Sequence, residues 1–598
     1  MKPVAATKES FVLPKLKYKH RSPVQTDPFI FYDVKFYPYS SSTEEEPIFA
    51  VLQQRGVLIY RISSEPSHFL TTLQDMVDQQ EVNDKDSPGL NSCSWCYIDR
   101  QRPLLAVAGG TGQLKIIDVL EGDLFTTLAG HGSGVINDIA THPLYPWIVV
   151  TASMDKSLRI WDLRRYASPH ESPTIIICGQ ATGHCEGVLT VSWHASGRYL
   201  VSGGHDQRIC VWTMPDLSDG SSFWRELSPQ YRKRSSNEVY TIYYPHFTSS
   251  AVHSNFVDCA RFYGDLIMSK AANENKIVLW KMTGFDSSQP PPSSATAPKI
   301  EDYLDTRNGF MRKVIQRDSG LVDVELAEEY DDEPLYERLL EFETPWVEQF
   351  YLRFGLLSPS LAHPELHPVL AFANAASELR FWDLERLSLG HAGGLDETKA
   401  PKPKKKYKGV AQYIRRKDHL SRAAVTPQNG TPLNGTPQNG TPQNGTPQND
   451  TPQNGTPQND TPQNGTPQNG TPQNGTPQNV TTRTSNEESS PFSMNSNRSS
   501  GMYPGQTFND ATSEFPEANT SLLASRDHER YPIHDAHTTI KPHAKVSLMD
   551  LQYKNQALFN ARAADWSPCG KWCVVVGESA KVTAQGMEGF GAFAVLHR

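Results

Sequence analysis

Four cysteines and two sets of histidine, aspartate and tryptophan are the residues whose spacing could do chemistry. Cys93-Ser94-Trp95-Cys96 has metal-type spacing, and Cys569 and Cys573 lie four apart. Both pairs sit beside a Trp in stretches patterned like strands, so they read as buried free thiols in a reducing compartment, with no metal site. The second group is a repeated phrase. Gly130-His131 is followed by Asp155 and Trp161, and Gly183-His184 by Asp206 and Trp212. In both copies the Asp lies six residues before the Trp. An Asp in a tight turn can accept from the His, and the indole N–H can donate to a hydroxyl on the neighbouring strand. Thr151 or Ser153 could supply that hydroxyl in the first copy and Ser202 in the second. Buried polar groups need such partners or they cost free energy. The chemistry is that of a hydrogen-bond relay holding strands together.

The elements that would carry these residues are the blades of a WD-type β-propeller, two of which lie in tandem here. Strand-rich units recur on either side. The first blade is read at 28–62 and the second at 90–120. The two marked units follow at 131–165 and 184–214. The fifth runs from Phe256 to Trp280, with Glu274 six before the Trp, and the sixth from Phe350 to Trp382-Asp383. The seventh lies within 551–598 and is degenerate, lacking a terminal Trp-Asp. The expected fold is all-β: a seven-bladed WD-repeat β-propeller with long disordered insertions. Seven blades close a ring, which removes exposed sheet edges.

The remaining segments read as linkers. Residues 1–27 are a flexible N-terminal segment. Residues 284–345 are an acidic insertion, with Asp323, Glu325, Glu328, Glu329, Asp331, Asp332 and Glu333 close together. Residues 385–550 are a disordered insertion between blades six and seven. It opens on a basic tract, Lys402 to Lys417, read either as a solvated tail or as a nuclear-import or phosphate-contacting segment. Thr-Pro-Gln-Asn-Gly then repeats eleven times, with small variations, between Thr426 and Val480. A proline at every fifth position excludes helix and strand.

Composition bounds the function. Hydrophobic residues make up 37% of the 598, a low share that fits unstructured segments. A net charge of −9 argues against general nucleic-acid binding by the whole chain, leaving the 402–417 tract as the one place for direct contact. No run of apolar residues is long enough for a membrane span. No Gly-rich phosphate loop, histidine metal cluster or nucleophile motif is present, so neither an enzyme nor a cofactor is expected.

The order of phrases reaches beyond generic WD repeats. Pro103 to Gly109, Gly130 to Asp138 and Gly183 to Leu189 fall in sequence, followed by Phe256-Val257-Asp258-Cys259-Ala260-Arg261-Phe262-Tyr263-Gly264-Asp265-Leu266-Ile267-Met268-Ser269-Lys270. That last stretch closely resembles a blade of the EED, or extra sex combs, family. The resemblance covers 28–283 and 346–384 well, 556–598 weakly and the insertions not at all. It implies the noncatalytic propeller subunit of Polycomb repressive complex 2, a nuclear histone H3 lysine methyltransferase acting in transcriptional repression. The implied partners are an Enhancer of zeste-type catalytic subunit docked by a helix, the other subunits of that complex, and a methylated H3 tail. Binding of the tail would stimulate the catalytic subunit.

The resemblance also implies a methyl-lysine cage. Its positions fall on Phe36 in Val34-Lys35-Phe36, and on Phe350 and Tyr351 ahead of Leu352-Arg353-Phe354, Arg353 being the adjacent motif residue. The family's fourth aromatic, a Tyr, falls on Asn91, which is a departure. His131, Asp155, Trp161, His184, Asp206, Trp212, Trp280 and Trp382 remain blade-structural. A WD scaffold outside chromatin, for example a ubiquitin-ligase adaptor, is the second reading.

Overall fold

The computed structural model describes residues 12–21, 30–39, 46–63, 69–77, 89–99, 102–168, 171–179, 182–227, 239–293, 296–299, 306–316, 322–326, 334–359, 364, 366–388, 539–552, 558–583 and 586–598. Seven sheets of four or five strands, antiparallel except for an added parallel strand in blades three and five, make a seven-bladed propeller. The innermost strands, in blade order, are Phe31–Phe36, Leu90–Cys96, Ile136–Thr141, Val188–Trp193, Val257–Tyr263, Gly355–Leu357 and Phe559–Trp566. Their Val, Ile, Leu and Phe side chains, with those of the second and third strands, fill apolar layers between successive blades. Such near-continuous apolar runs suit strands covered on both faces.

Three blades carry a buried relay. His131 Nδ1 meets Asp155 at 2.8 Å and its Nε2 meets the Thr151 hydroxyl at 2.7 Å, while the Trp161 indole donates to that hydroxyl at 2.9 Å. Thr151 rather than Ser153 is therefore the hydroxyl partner. His184, Asp206, Ser202 and Trp212 repeat the arrangement. In blade five it is built from His253, Glu274, Ser269 and Trp280. Burial opposes ionisation of Glu274, but His253 and the Ser254 amide and hydroxyl hold its carboxyl down at about 2. In blade six the Trp382 indole donates instead to the Ile540 carbonyl, 3.0 Å away.

The outer strands correct the expected boundaries. Residues 1–27 are not a flexible segment throughout: Lys15–Arg21 pairs with Gly586–His597 as the outermost strand of blade seven. The N-terminus thus closes the ring, and blade seven has a full complement of four strands. Residues 284–345 are not simply an acidic insertion. Within them, Thr306–Asn308 is a fifth strand of blade four and Tyr336–Glu343 the fourth of blade five. Of the 385–550 insertion, Ala544–Ser547 is the fourth strand of blade six, and Thr539–Ile540 adds in parallel to blade five. The physical reason is common to all: an outer strand needs open backbone groups on its neighbour more than an apolar sequence. Glu328 to Glu333, the 402–417 tract and the Thr-Pro-Gln-Asn-Gly repeats lie outside the described residues. Among the described residues, no helix is long and apolar enough to cross a membrane.

Deleting residues 1–21 should leave the edge of blade seven open and the layer against blade one uncovered at Phe69 and Tyr60. The thermal unfolding midpoint should fall by about 5 °C or more. An unchanged midpoint in scanning calorimetry would mean that the ring closes without this strand.

Candidate functional site at the channel mouth

Six innermost strands share one irregularity. The pairing register slips between Phe31 and Asp33, Leu90 and Ser92, Ile136 and Asp138, Val188 and Thr190, Val257 and Cys259, and Ala561 and Ala563. Each slip is a β-bulge, which re-aims the extra residue out of the ladder. The bulged residues are Tyr32, Asn91, Asn137, Leu189, Asp258 and Arg562. They stand at the same end of their strands, around one mouth of the channel. Neighbours along this ring touch: Asn91 Nδ2 donates to the Ile136 carbonyl at 3.2 Å, and Asn137 Nδ2 to the Val188 carbonyl at 2.7 Å.

The segment leading into blade six completes the mouth. The Phe350 and Tyr351 rings meet edge-on at 4.5 Å. Phe350 also faces His205 at 5.6 Å and Phe256 at 6.1 Å. Tyr351 has φ +61°, an unusual conformation for a bulky residue. Two contacts hold it there. Its N–H donates to Asp258 Oδ2 at 3.1 Å, and its hydroxyl donates to Asn137 Oδ1 at 2.8 Å. The second contact ties blade six to blade three. Burial pushes the Tyr351 phenol well above its ordinary value.

Two residues further on, Arg353 enters the channel wall. Its Nη1 lies 3.4 Å from Asp33 and 3.3 Å from Asp138, and its Nη2 donates to the Asn137 carbonyl at 2.6 Å. All three charged side chains are buried. Burial opposes ionisation of Asp138, but Arg353, Arg261 and Lys35 hold its carboxyl below the usual range.

The expected site residues therefore separate. Phe350, Tyr351 and Arg353 come together at the mouth. Asn91 is there too, an amide bound to blade three where an aromatic was expected. Phe36 is not. It lies at the other end of its strand, four residues from Tyr32 and so roughly 13 Å away. It is 4% exposed, packed 5.4 Å from Phe49, with its N–H on Asp565. The aromatic that blade one brings to the mouth is Tyr32, partly exposed, with the Arg562 guanidinium 5.7 Å from its ring centroid. Arg562 also donates to the Phe350 carbonyl at 3.1 Å. The sequence held a signal for Tyr32. It precedes Phe36 by four residues, as Asn91 precedes Trp95.

The paired cysteines show a different environment. Cys93, Cys96 and Cys573 are buried free thiols, and burial pushes Cys96 up to about 12. Among the described residues no group of three or more His, Cys, Asp or Glu could hold a metal ion.

Comparison with known proteins gives a consistent result. The WD domain, G-beta repeat, matches at residues 122–162 and 177–213. The chain is 37% identical to the Polycomb protein EED of Chaetomium thermophilum over 60% of its own length and 57% of that protein's. It is 32% identical to the Polycomb group protein FIE2 of Zea mays, over 44% of this chain and 62% of the relative. The chain thus spans about three-fifths of the length of these curated relatives. Among solved structures, it matches a chain of the Chaetomium thermophilum Polycomb repressive complex 2 with a TM-score of 0.60 at 25% identity, covering 98% of each chain. A chain from a structure described as ctPRC2 in complex with H3K27me3 and H3K27M matches with a TM-score of 0.60 at 26% identity, again over 98% of each.

Replacing Arg353 with Met should remove the guanidinium that Asp33 and Asp138 share and leave the two buried carboxylates to Lys35 and Arg261 at the edge of the cluster. Breaking a buried pair in this way costs roughly 3–5 kcal/mol, read as a lower urea midpoint. Adding Asp33→Asn and Asp138→Asn to Arg353→Met should recover part of that loss. Equal midpoints for wild type and Arg353→Met would remove the guanidinium from this role.

Proposed function

We propose, for a chain that belongs to the EED and extra sex combs family of WD-repeat proteins, the role of noncatalytic scaffold and methyl-lysine reader in a Polycomb-type histone H3 lysine methyltransferase. The observation that carries the reading is the Phe350–Tyr351 ring pair at one channel mouth, with Tyr32 linked to it through Arg562. Its support from outside the chain is the likeness to a structure containing H3K27me3.

The chemistry of the ligand explains the residue types. A trimethylated ammonium has no N–H to donate, so hydrogen-bonding groups cannot hold it. Ring faces can, each contributing about 0.5–1 kcal/mol when exposed and ~2 when desolvated. Phe350 and Tyr351 supply two walls at right angles from blade six, and Tyr32 a third from blade one. Asn91 leaves the blade-two side without a ring. Arg353 is a positioning residue. It fixes the strand ends of blades one to three, against which the Tyr351 side chain is held.

The opposite face docks a helix of an Enhancer of zeste-type catalytic subunit. Stimulation then requires that the tail bind the active arrangement of the complex more tightly than the inactive one. The other subunits of the complex, a nuclear location and transcriptional repression belong to the same reading.

Calorimetric titration of the full chain with H3-tail peptides tests it. Trimethylated peptide should bind and unmodified peptide should not. Tyr351→Ala and Tyr32→Ala should each weaken binding about tenfold, the equivalent of ~1.4 kcal/mol. Asn91→Tyr should tighten it severalfold. Phe36→Ala should instead cost roughly 3–5 kcal/mol of folding stability. Equal affinity for both peptides would end the reader role and leave a scaffold.

A further inference from the structure

The strand that closes the ring, Lys15–Arg21, turns Lys15, Lys17, Lys19 and Arg21 outward, alternating with half-buried Leu16, Tyr18 and His20. It is the outermost strand of its blade. Lys19 pairs with Asp550, and Arg21 donates to the Asp550 carbonyl. Among the described residues, no ion pair engages Lys15, Lys17 or Lys571. Lys15 lies opposite His597 in the register. The exposed Lys571 sits beside Trp572, whose ring is 4.1 Å from that of His597. Burial, together with the charges of Lys17 and Lys571, holds the His597 imidazole below its ordinary value. Arg598 follows at the same rim, its N–H on the Lys571 carbonyl.

Lysines alone would serve to discourage edge-to-edge pairing. That explanation does not reach Lys571, which comes from the turn into another strand, or the half-exposed Trp572–His597 pair beside it. Nor does it reach the concentration of cations on one rim of a chain whose net charge is −9.

We propose that this rim of blade seven binds duplex nucleic acid through its phosphate backbone, without sequence preference, using Lys15, Lys17 and Lys571 beside Trp572 and His597. The form of the surface selects a polymer. Alternate residues on a strand are about 6.6 Å apart, so the cations from Lys15 to Arg21 extend over about 20 Å. An open comb of that length offers a small anion no enclosure, whereas a duplex presents one phosphate charge per ~1.7 Å of axis. This surface is separate from the channel mouth and from the 402–417 tract, and its test needs no methylated peptide.

Fluorescence anisotropy of a labelled 30-base-pair duplex, titrated with the full chain between 50 and 200 mM salt, reads the effect. Binding should weaken with salt. Lys15→Glu, Lys17→Glu and Lys571→Glu together should weaken it at least tenfold and lower the slope of log K against log salt by about 2–3. The corresponding Gln variant should be intermediate, with an unfolding midpoint equal to that of wild type. Changing Lys402, Lys404, Lys405, Lys406 and Lys408 to Gln should leave most of the binding in place. Wild-type affinity in the triple Glu variant, or complete loss in the 402–408 variant, would overturn the assignment. Tighter binding of polyglutamate than of the duplex would overturn it too, making the partner an acidic protein.

Discussion

The inner wall of this propeller depends on side chains that accept main-chain N–H groups from the next blade. Asp33 accepts from Cys93 at 3.2 Å, Ser92 from Ile139 at 3.2 Å and Asp138 from Val191 at 3.1 Å. Thr190 accepts from Ala260 at 3.4 Å, Asp258 from Tyr351 at 3.1 Å and Asp565 from Phe36 at 2.7 Å. At the remaining joint, between blades six and seven, the Arg353 N–H donates to the Arg562 carbonyl at 2.8 Å. Every joint is thereby crossed next to the channel. The solution has an electrostatic cost, because it places several carboxylates in a narrow buried space. Arg353 answers for Asp33 and Asp138 from across the channel, and Lys270 answers for Asp258 at 2.8 Å. Burial pushes Asp565 up to about 6 even with Lys35 nearby.

Because the inner ring is fixed in this way, the outside of the propeller can be assembled from distant parts of the chain. Blade seven takes its last strand from the N-terminus, and blade six takes its last strand from beyond 540. Closing a long loop adds only about 0.6 kcal/mol per doubling of length, so the 150 or so residues before Ile540 are tolerable. Their return is marked by the Trp382 indole, which bonds the Ile540 carbonyl. In blades three to five the same indole position is satisfied by a Ser or Thr within the blade. Blade six has Ala371 and Phe381 packed in its core, and among the described residues no histidine relay; the returning strand takes over the task of satisfying the buried N–H.

These differences explain what could be read from the sequence. The relays of blades three and four were legible because local spacing alone dictates them. Blade five was half legible: Glu274 was in place, but His253 is preceded by Val rather than Gly, and the link to Ser269 is visible only in the fold. The outer strands were not legible. Lys15–Arg21 and Ala544–Ser547 carry no apolar run, and what holds them is the open backbone of a partner far away in sequence. Phe36 was misplaced for a third reason. Counting along an unbroken strand puts it in the family pattern, whereas the bulge after Phe31 sends Tyr32 to the mouth and leaves Phe36 in the layer between blades seven and one.

The bulge separates the chemistry of the mouth from the stability of the ring. In blades one to four the residue after the bulge, Asp33, Ser92, Asp138 or Thr190, carries the joint to the next blade, whereas in blade five the bulged Asp258 does so itself. The bulged residue itself is released from the ladder. The set found here is varied: Tyr32, Asn91, Asn137, Leu189, Asp258 and Arg562. Asn91 illustrates the point. An amide at this position still finds a partner in the Ile136 carbonyl, so losing an aromatic wall leaves no buried group unsatisfied. Tyr351 is the opposite case. Its left-handed backbone persists because Asp258 and Asn137 hold it from two other blades, so the geometry of the mouth on blade six is set by bulged residues on blades three and five. A change at Asn137 or Asp258 would therefore alter the mouth without touching a ligand, whereas a change at Asn91 would alter its aromatic character alone.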